Sequence, residues 1–354
     1  MKITKIRQWT HALQLKEPYT IAYETISQVE NTFIQIETES PHLGLGCAAP
    51  DKKVIGDNSQ IVQQAIAQAD ERLQGQDALR PLHCLSLLPQ LYGSARAALD
   101  MALWDLVGKA ANLPLWKLFG GFRPSIITSV TIGIEDKEKT LNLAKQWLQR
   151  GFKSLKIKGG LDVEQDIERA LALRDVVGKD VEMRFDANQG YGQAETIRLA
   201  KALEKAEVQF IEQPTPKTNL ELLATVMEES PLPIMADESI LTLEDAARIA
   251  KKKAAHLLNI KIQKVGGLST AMHINSVAKA SKMRTMVGCM DESALSIAAG
   301  LHFALSRDNV QYADLDGHLD LLGDKAEGLF ELIDGSLHPS GEPGLGLSSF
   351  SAWD

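Results

Sequence analysis

Cysteine is scarce in this chain. Cys47, Cys84 and Cys289 are the whole supply, odd in number and far apart, which excludes a disulfide framework or a zinc knuckle and points to a reducing compartment. His11, His42, His83, His273, His302 and His338 share no metal-ligand spacing and read as surface or packing residues. Long hydrophobic runs are missing too: none approaches the roughly 20 apolar residues of a membrane span. The opening "MKITKIRQWTHAL" alternates like a strand and lacks the apolar core of a signal peptide. A cytoplasmic, soluble protein is expected. Positive charge is in deficit, with 38 Lys and Arg against 46 Asp and Glu and a net charge of -8, which argues against a nucleic-acid surface. No low-complexity segment or charged tail occurs. What is present, 44% apolar and 24% charged residues over 354 positions, suffices for an eight-unit barrel plus a smaller domain.

The first 50 residues read as β. "KITKIRQWTHAL" and "ENTFIQIETE" alternate, and "GLG" at 44–46 turns into another short strand. Between them, "KEPYTIAYETISQ" reads as a loop long enough to be functional. Helical periodicity covers 58–75 and 94–111, with Ser94 a candidate N-cap and Pro114 blocking continuation. From about 126 the pattern changes to alternating strand and helix. Strands are expected at 127–133, 153–158, 181–186, 208–212, 233–237, 257–262, 284–289 and 310–314. Helices are expected near 137–150, 162–177, 193–205, 218–229, 242–252, 268–281 and 292–305. The fold class is therefore α/β: an α+β capping domain over 1–122, a modified TIM barrel over 123–325, and a C-terminal segment, 326–354, folding back onto the cap.

Lys158, Asp186, Glu212, Asp237 and Lys261 follow one another at intervals of 24–28 residues, about one strand-plus-helix unit of a parallel barrel. Each ends a short apolar run: "KSLKIK", "VEMRFDAN", "VQFIEQP", "LPIMADES" and "HLLNIKI". Carboxyl ends of barrel strands converge on one face, so Asp186, Glu212 and Asp237 would form an oxygen cage for a hard divalent cation, magnesium by preference. Asn188, Gln213 and Glu238, just beyond, are natural supporting partners. Lys158 and Lys261 end the second and sixth strands, opposed in a barrel, and would approach a substrate from opposite faces. Lys156 shares the parity of Lys158, and Lys264 lies near Lys261. A metal and these second cations could lower the pKa of the two bases. Asp314 and Asp316, in "YADLDGHLDL", are two apart and point the same way at the barrel mouth, suited to a substrate ammonium. His318, just after them, is a candidate substrate contact. "KKVIG" at 52–56 reads either as a second cap loop over the site or as a solvated charge cluster.

Together these residues resemble the enolase superfamily, and within it the muconate-lactonizing-enzyme subgroup. "ALDMALWDLVGKAANLPLWKLFGG" looks like the family's cap-to-barrel helix and linker, and "KIK", "DAN", "EQP", "DES" and "NIK…GG" match its motifs in order. The resemblance implies a (β/α)7β barrel under a cap, one Mg2+ per subunit, and proton abstraction α to a carboxylate with an enediolate intermediate. Carried over, Asp186, Glu212 and Asp237 are the ligands and Lys158 and Lys261 the acid/base pair, which permits racemisation or epimerisation. Mandelate-racemase-like members use a His–Asp pair instead, absent here. The D-x-D at 314–316 resembles the dipeptide epimerase signature. It implies an isomerase that inverts the α-carbon of a dipeptide's C-terminal residue, and a homo-oligomer is expected. The alternatives are o-succinylbenzoate synthase, N-acylamino acid racemase, or a non-catalytic scaffold. Three departures stand out. Glu24 replaces the arginine that Ala-Glu epimerases aim at substrate glutamate. Asp291, in "GCMDES", stands where an aliphatic residue is common. His256 and Cys47 occupy places where acids are frequent, remote from the chemistry. Glu24 and Asp291 read either as a hint of a cationic or polar substrate side chain or as solvated loop acids, and Cys289 is expected on the pocket floor for its small size.

Overall fold

A computed structural model describes residues 1–88, 91 and 93–349; the last five residues of the expected C-terminal segment lie outside these. The chain begins with three antiparallel strands, β1 (Ile3–Ile21), β2 (Glu24–Thr38) and β3 (Gly44–Ala48). The helices α1 (Ser59–Leu73), α2 (Pro81–Ser86), α3 (Gly93–Ala110) and α4 (Leu115–Leu118) follow. The segment expected as a loop is instead the end of a long hairpin. After a register shift between Gln14 and Tyr19, Tyr19 pairs with Ile26, Thr20 with Thr25 and Ile21 with Glu24. These β-branched and aromatic residues pair across strands, and Tyr19, Ile26 and Val29 pack on Leu13, Leu15 and Leu321.

α3 is buried nearly all round because it serves two cores. Ala98, Leu99, Ala102 and Leu106 face the cap sheet, while Ala97 and Met101 join the barrel core. The sheet approaches it so closely that a Cβ on Gly46 would sit 2.1 Å from the Ala98 carbonyl oxygen, so glycine is the residue that fits there. Ser94 is not the N-cap. It lies inside the first turn, where the Asp57 carboxylate accepts its N–H at 2.9 Å and its hydroxyl at 2.6 Å.

After β4 (Ile126–Ile127) comes the repeating part: β5 (Val130–Ile132), α5 (Lys137–Gln149), β6 (Ser154–Lys158), α6 (Val163–Val177), β7 (Glu182–Asp186), α7 (Gln193–Lys205), β8 (Val208–Glu212), α8 (Leu220–Glu229), β9 (Ile234–Ala236), α9 (Leu243–Lys252), β10 (Leu257–Lys261), α10 (Ile262–Val265), α11 (Leu268–Ala280), β11 (Arg284–Gly288), α12 (Ala294–Ser306) and β12 (Val310–Asp314). The strands β5 to β12 form one parallel sheet in chain order. Its edges meet where Thr128 bridges Ala313 and the Ser129 N–H donates to the Ala313 carbonyl at 3.0 Å. Side-chain caps from Asp136, Asp162, Asn219, Thr242 and Ser293 start five of the helices by satisfying N–H groups that lack helical partners. Among the described residues no helix follows β12. The chain runs instead through β13 (Leu321–Leu322), which pairs with β1, and the hairpin β14 (Phe330–Ile333)–β15 (Ser336–Pro339), which pairs with β4. Gly344 then bridges Pro114. No helix among the described residues is long and apolar enough to cross a membrane.

The pleat of the strands sets the barrel interior. One layer is Phe210, Met235, Leu257 and Met286 with Tyr312, and the Arg184 guanidinium lies over the Phe210 and Tyr312 rings at 5.8 and 5.0 Å. Two residues further along the same strands, on the same face, stand Asp186, Glu212, Asp237, Asn259 and Asp314. An apolar floor thus carries a polar layer at the carboxyl ends of the strands.

Candidate active site

A cavity of about 750 Å³ opens between this polar layer and the cap. Lys156, Lys158, Lys261, Glu238, Cys289, Asp291, Asp314 and Asp316 line it from the barrel, and Tyr19, Tyr23, Glu24 and Lys53 from the cap. Asp186, Glu212 and Asp237 lie fully buried behind Lys156, Lys158 and Lys261, each offering an oxygen within 4.8 Å of the others'. Glu212 Oε2 and Asp237 Oδ2 receive no hydrogen bond of good geometry and are balanced by the Lys156 and Lys261 ammonium groups, each at 2.9 Å. An oxygen-only, buried, convergent set fits a hard divalent cation. The electrostatics agree. Burial and the charge of Asp186 push Glu212 up to about 8, because three like charges crowd a low-dielectric pocket. Burial also raises Asp186, but Lys156 and Lys158 outweigh it and hold it at about 2.

The supporting residues hold these carboxylates in place. The Asn188 N–H donates to Asp186 Oδ1 at 2.9 Å, and its side-chain amide donates to Glu238 Oε1 at 3.2 Å. Gln213 Oε1 accepts the N–H groups of Asp237 and Ser239 at 2.9 and 3.2 Å. Both residues have left-handed backbone, at φ 41° and 30°, strained conformations of the kind that cluster at functional sites. Asn259, which sequence reasoning missed, donates to Glu212 Oε1 at 2.6 Å. Its position two residues before Lys261 on one strand was the available signal.

β6 and β10 are the second and sixth of eight strands, so their terminal lysines face each other across the carboxylates. Lys158 Nζ lies 2.7 Å from Asp186 Oδ2, and Lys261 Nζ 2.9 Å from Asp237 Oδ2. Burial pulls Lys261 down, but Asp237, with Glu212 and Glu238, holds its ammonium well above the usual range. The lowering expected from neighbouring lysines is therefore outweighed by carboxylates. Lys156 and Lys264 are neutralising groups. Lys156 Nζ contacts Asp186, Glu212 and Asp314 at 3.0, 2.9 and 2.8 Å, and Lys264 Nζ donates to the Asp237 carboxylate and carbonyl.

The D-x-D acids differ. Asp314 is saturated, with Oδ1 accepting from Ser129 Oγ at 2.6 Å and Oδ2 from Lys156. Asp316 Oδ2 accepts the Thr131 N–H at 2.6 Å, while Oδ1 accepts a long contact from the Cys289 thiol at 3.7 Å. Burial, with Asp314 next, pushes Asp316 up to about 7. Burial also pushes the Cys289 thiol well up, which removes it as a nucleophile. Asp291 accepts the Tyr19 hydroxyl on both oxygens, at 3.0 and 2.8 Å, and burial raises it to about 6 against the opposing pull of that bond. Glu24 is not a bare carboxylate, since Lys53 Nζ lies 3.0 Å from its Oε2. His318 is not on the cavity wall; it packs edge-on against Phe330, ring centroids 5.0 Å apart. The Tyr19, Ser129 and Lys53 partnerships left no mark in the sequence, because each joins segments remote along the chain.

Residues 3–120 match the family model described as mandelate racemase / muconate lactonizing enzyme, N-terminal domain, and residues 139–349 match enolase C-terminal domain-like. The L-Lys-D/L-Arg epimerase of Methylococcus capsulatus is 40% identical over 98% of this chain and 99% of its own length. The dipeptide epimerase of Enterococcus faecalis, solved with Mg and L-Leu-L-Tyr, superposes with a TM-score of 0.96 at 32% identity, covering 99% of this chain and 100% of that one. The dipeptide epimerase of Methylococcus capsulatus, solved with Mg and L-Arg-D-Lys, gives a TM-score of 0.92 at 39% identity with the same coverage. With both domain models matched along its length and these relatives aligned nearly end to end, the chain belongs to the enolase superfamily, in its mandelate racemase / muconate lactonizing enzyme group and among the dipeptide epimerases.

Proposed function

We propose that this magnesium-dependent dipeptide epimerase inverts the α-carbon of the C-terminal residue by two-base proton transfer, Lys158 acting on one face and Lys261 on the other. The observation that carries this reading is the placement of the two ammonium groups on opposed strands, each within 2.9 Å of an acid of the metal-binding triad. Asp186, Glu212 and Asp237 hold the magnesium, which when bound supplies Lewis-acid stabilisation of the charge building on the substrate carboxylate. One lysine removes the α-proton while its opposite stands protonated to return one, so the configuration inverts. Asp316, with a carboxylate oxygen turned to the cavity, holds the substrate ammonium, and Asp314 balances Lys156. Cys289 supports Asp316 from beneath. Glu24 and Asp291 favour a neutral or cationic C-terminal side chain over an acidic one.

An N-acylated amino acid has no ammonium and would leave Asp316 unpaired beside Asp314, which disfavours the racemase alternative. The test is incubation of enzyme and magnesium with a dipeptide panel in deuterium oxide. Gain of one mass unit at the α-carbon of the C-terminal residue is expected. Absence of exchange with every dipeptide, together with turnover of N-succinyl amino acids, would overturn the reading.

A further inference from the structure

Lys53 lies in the second cap loop, and its side chain is committed neither to the fold nor to the chemistry described above. Its ammonium sits 3.0 Å from Glu24 Oε2, 2.9 Å from the Tyr23 carbonyl oxygen, and 5.1 Å from the centroid of the Tyr23 ring. A carboxylate, a carbonyl and an aromatic face make up a receptor for an alkylammonium or a guanidinium. All three residues line the catalytic cavity. The hairpin tip that carries Glu24 is pinned above the loops following β5 and β6. The Ile134 N–H donates to the Thr20 carbonyl at 2.8 Å, and Ala22 packs so tightly on Gly160 that a Cβ there would come within 3.1 Å of its own.

We propose that Lys53 is a specificity-determining residue: its ammonium occupies the Glu24 site as an exchangeable internal substitute for a cationic side chain on the substrate's C-terminal residue. This rests on the epimerase reading above. The pair is half-exposed, 47% at Lys53 and 31% at Glu24, and exposed ion pairs are weak, so displacing Lys53 costs about fivefold in affinity at most. A lysine or arginine side chain with comparable contacts can therefore take its place. The loop does not depend on that side chain. The Lys53 N–H is held by Asp51 Oδ1 at 2.8 Å, and its carbonyl accepts from Lys217 Nζ at 3.2 Å.

The experiment compares kcat/KM for two dipeptides with one N-terminal residue and either lysine or leucine at the C-terminus. In Lys53→Met, which frees Glu24, the lysine-to-leucine ratio is expected to rise about three- to fivefold. Lys53→Arg should leave the ratio near the wild-type value. Glu24→Gln should lower it, and adding Lys53→Met to Glu24→Gln should produce no further rise. A ratio unmoved by Lys53→Met, or an equal rise in the double variant, overturns the role of Lys53 while leaving the epimerase reading intact. Absence of deuterium exchange by the wild type with any dipeptide overturns both.

Discussion

Two lysine pairs surround the carboxylates, and burial separates their roles. Lys156 and Lys264 are each 2% exposed, Lys156 held by three acids and Lys264 by Asp237 and the Asn259 carbonyl, whereas Lys158 and Lys261 are more open, at 9% and 7%. The division follows from position along the chain: within "KIK" the last lysine stands nearest the barrel mouth, and Lys264 lies beyond the strand in α10. Replacing Lys158 or Lys261 with alanine is expected to lower kcat for epimerisation by about 10²–10⁴. Each variant should keep deuterium exchange from one configuration of the α-carbon only, the one whose proton faces the surviving lysine. Chiral analysis of exchange from each antipode checks this, and equal residual exchange from both would contradict the two-face assignment. At the D-x-D, Asp316→Asn should reduce kcat/KM for dipeptides about 10- to 100-fold, the cost of losing one charge-assisted contact. The loss should be much smaller for an N-acylated amino acid, because only the dipeptide carries the ammonium. The meeting of the three acids, the two opposed lysines and the D-x-D in one cluster was legible because each sits at or just past a strand end with a regular period. Partner choice was not: Ser129 reaches Asp314 across 185 positions and Tyr19 reaches Asp291 across 272, and no local pattern encodes such meetings.

The barrel helices and all but the first barrel strand were legible within a residue or two because pleat and helical period write directly into apolar spacing; the strand expected at 127–133 is instead β4, which pairs with the tail, and a three-residue β5 at Val130–Ile132. The cap hairpin was misread for a physical reason. Between Gln14 and Tyr19 its register shifts, which interrupts the alternation that marks a strand, and the pairing resumes beyond. Short elements such as α2, α4 and α10 fall below the length at which periodicity can register. Polar groups inside the fold join these elements. Asp105 on α3 accepts the Leu45 N–H from β3 at 2.9 Å and the Leu345 N–H from the tail at 2.8 Å, with Lys109 Nζ at 2.6 Å. Burial raises its pKa, and Lys109 opposes the rise. Asp105→Ala strands two buried N–H donors and an ammonium, which should cost about 3–5 kcal/mol. Denaturant unfolding of the variant against the wild type measures it, and a change below about 1 kcal/mol would mean the three segments hold together without Asp105.

At the scale of the molecule, the missing eighth helix is what lets the C-terminal segment reach the cap and the cap close over the strand ends. His302, on α12, lies at this junction. It is 1% exposed, and its Nδ1 accepts the Trp116 N–H of the cap-to-barrel linker at 3.2 Å, with the Leu345 backbone of the tail close enough to act on its charge. Burial lowers its pKa to about 4 from 6.5, the Leu345 contact acting the other way. The imidazole is thus held neutral in the folded protein, since a proton on Nδ1 would face an N–H donor. The sign of the linkage follows. Between pH 6.5 and about 4 the unfolded chain binds a proton that the folded chain does not, so stability is present above 6.5 and is lost as pH falls toward 4. A shift of this size corresponds to about 3 kcal/mol. Replacing His302 with glutamine keeps an acceptor for Trp116 and removes the titration. The expected result is that the stability of the wild type falls by about 3 kcal/mol relative to that of His302→Gln between pH 7 and pH 4, read as the difference between their denaturant unfolding free energies. Parallel pH profiles for the two proteins would place the acid sensitivity elsewhere and leave His302 as packing alone.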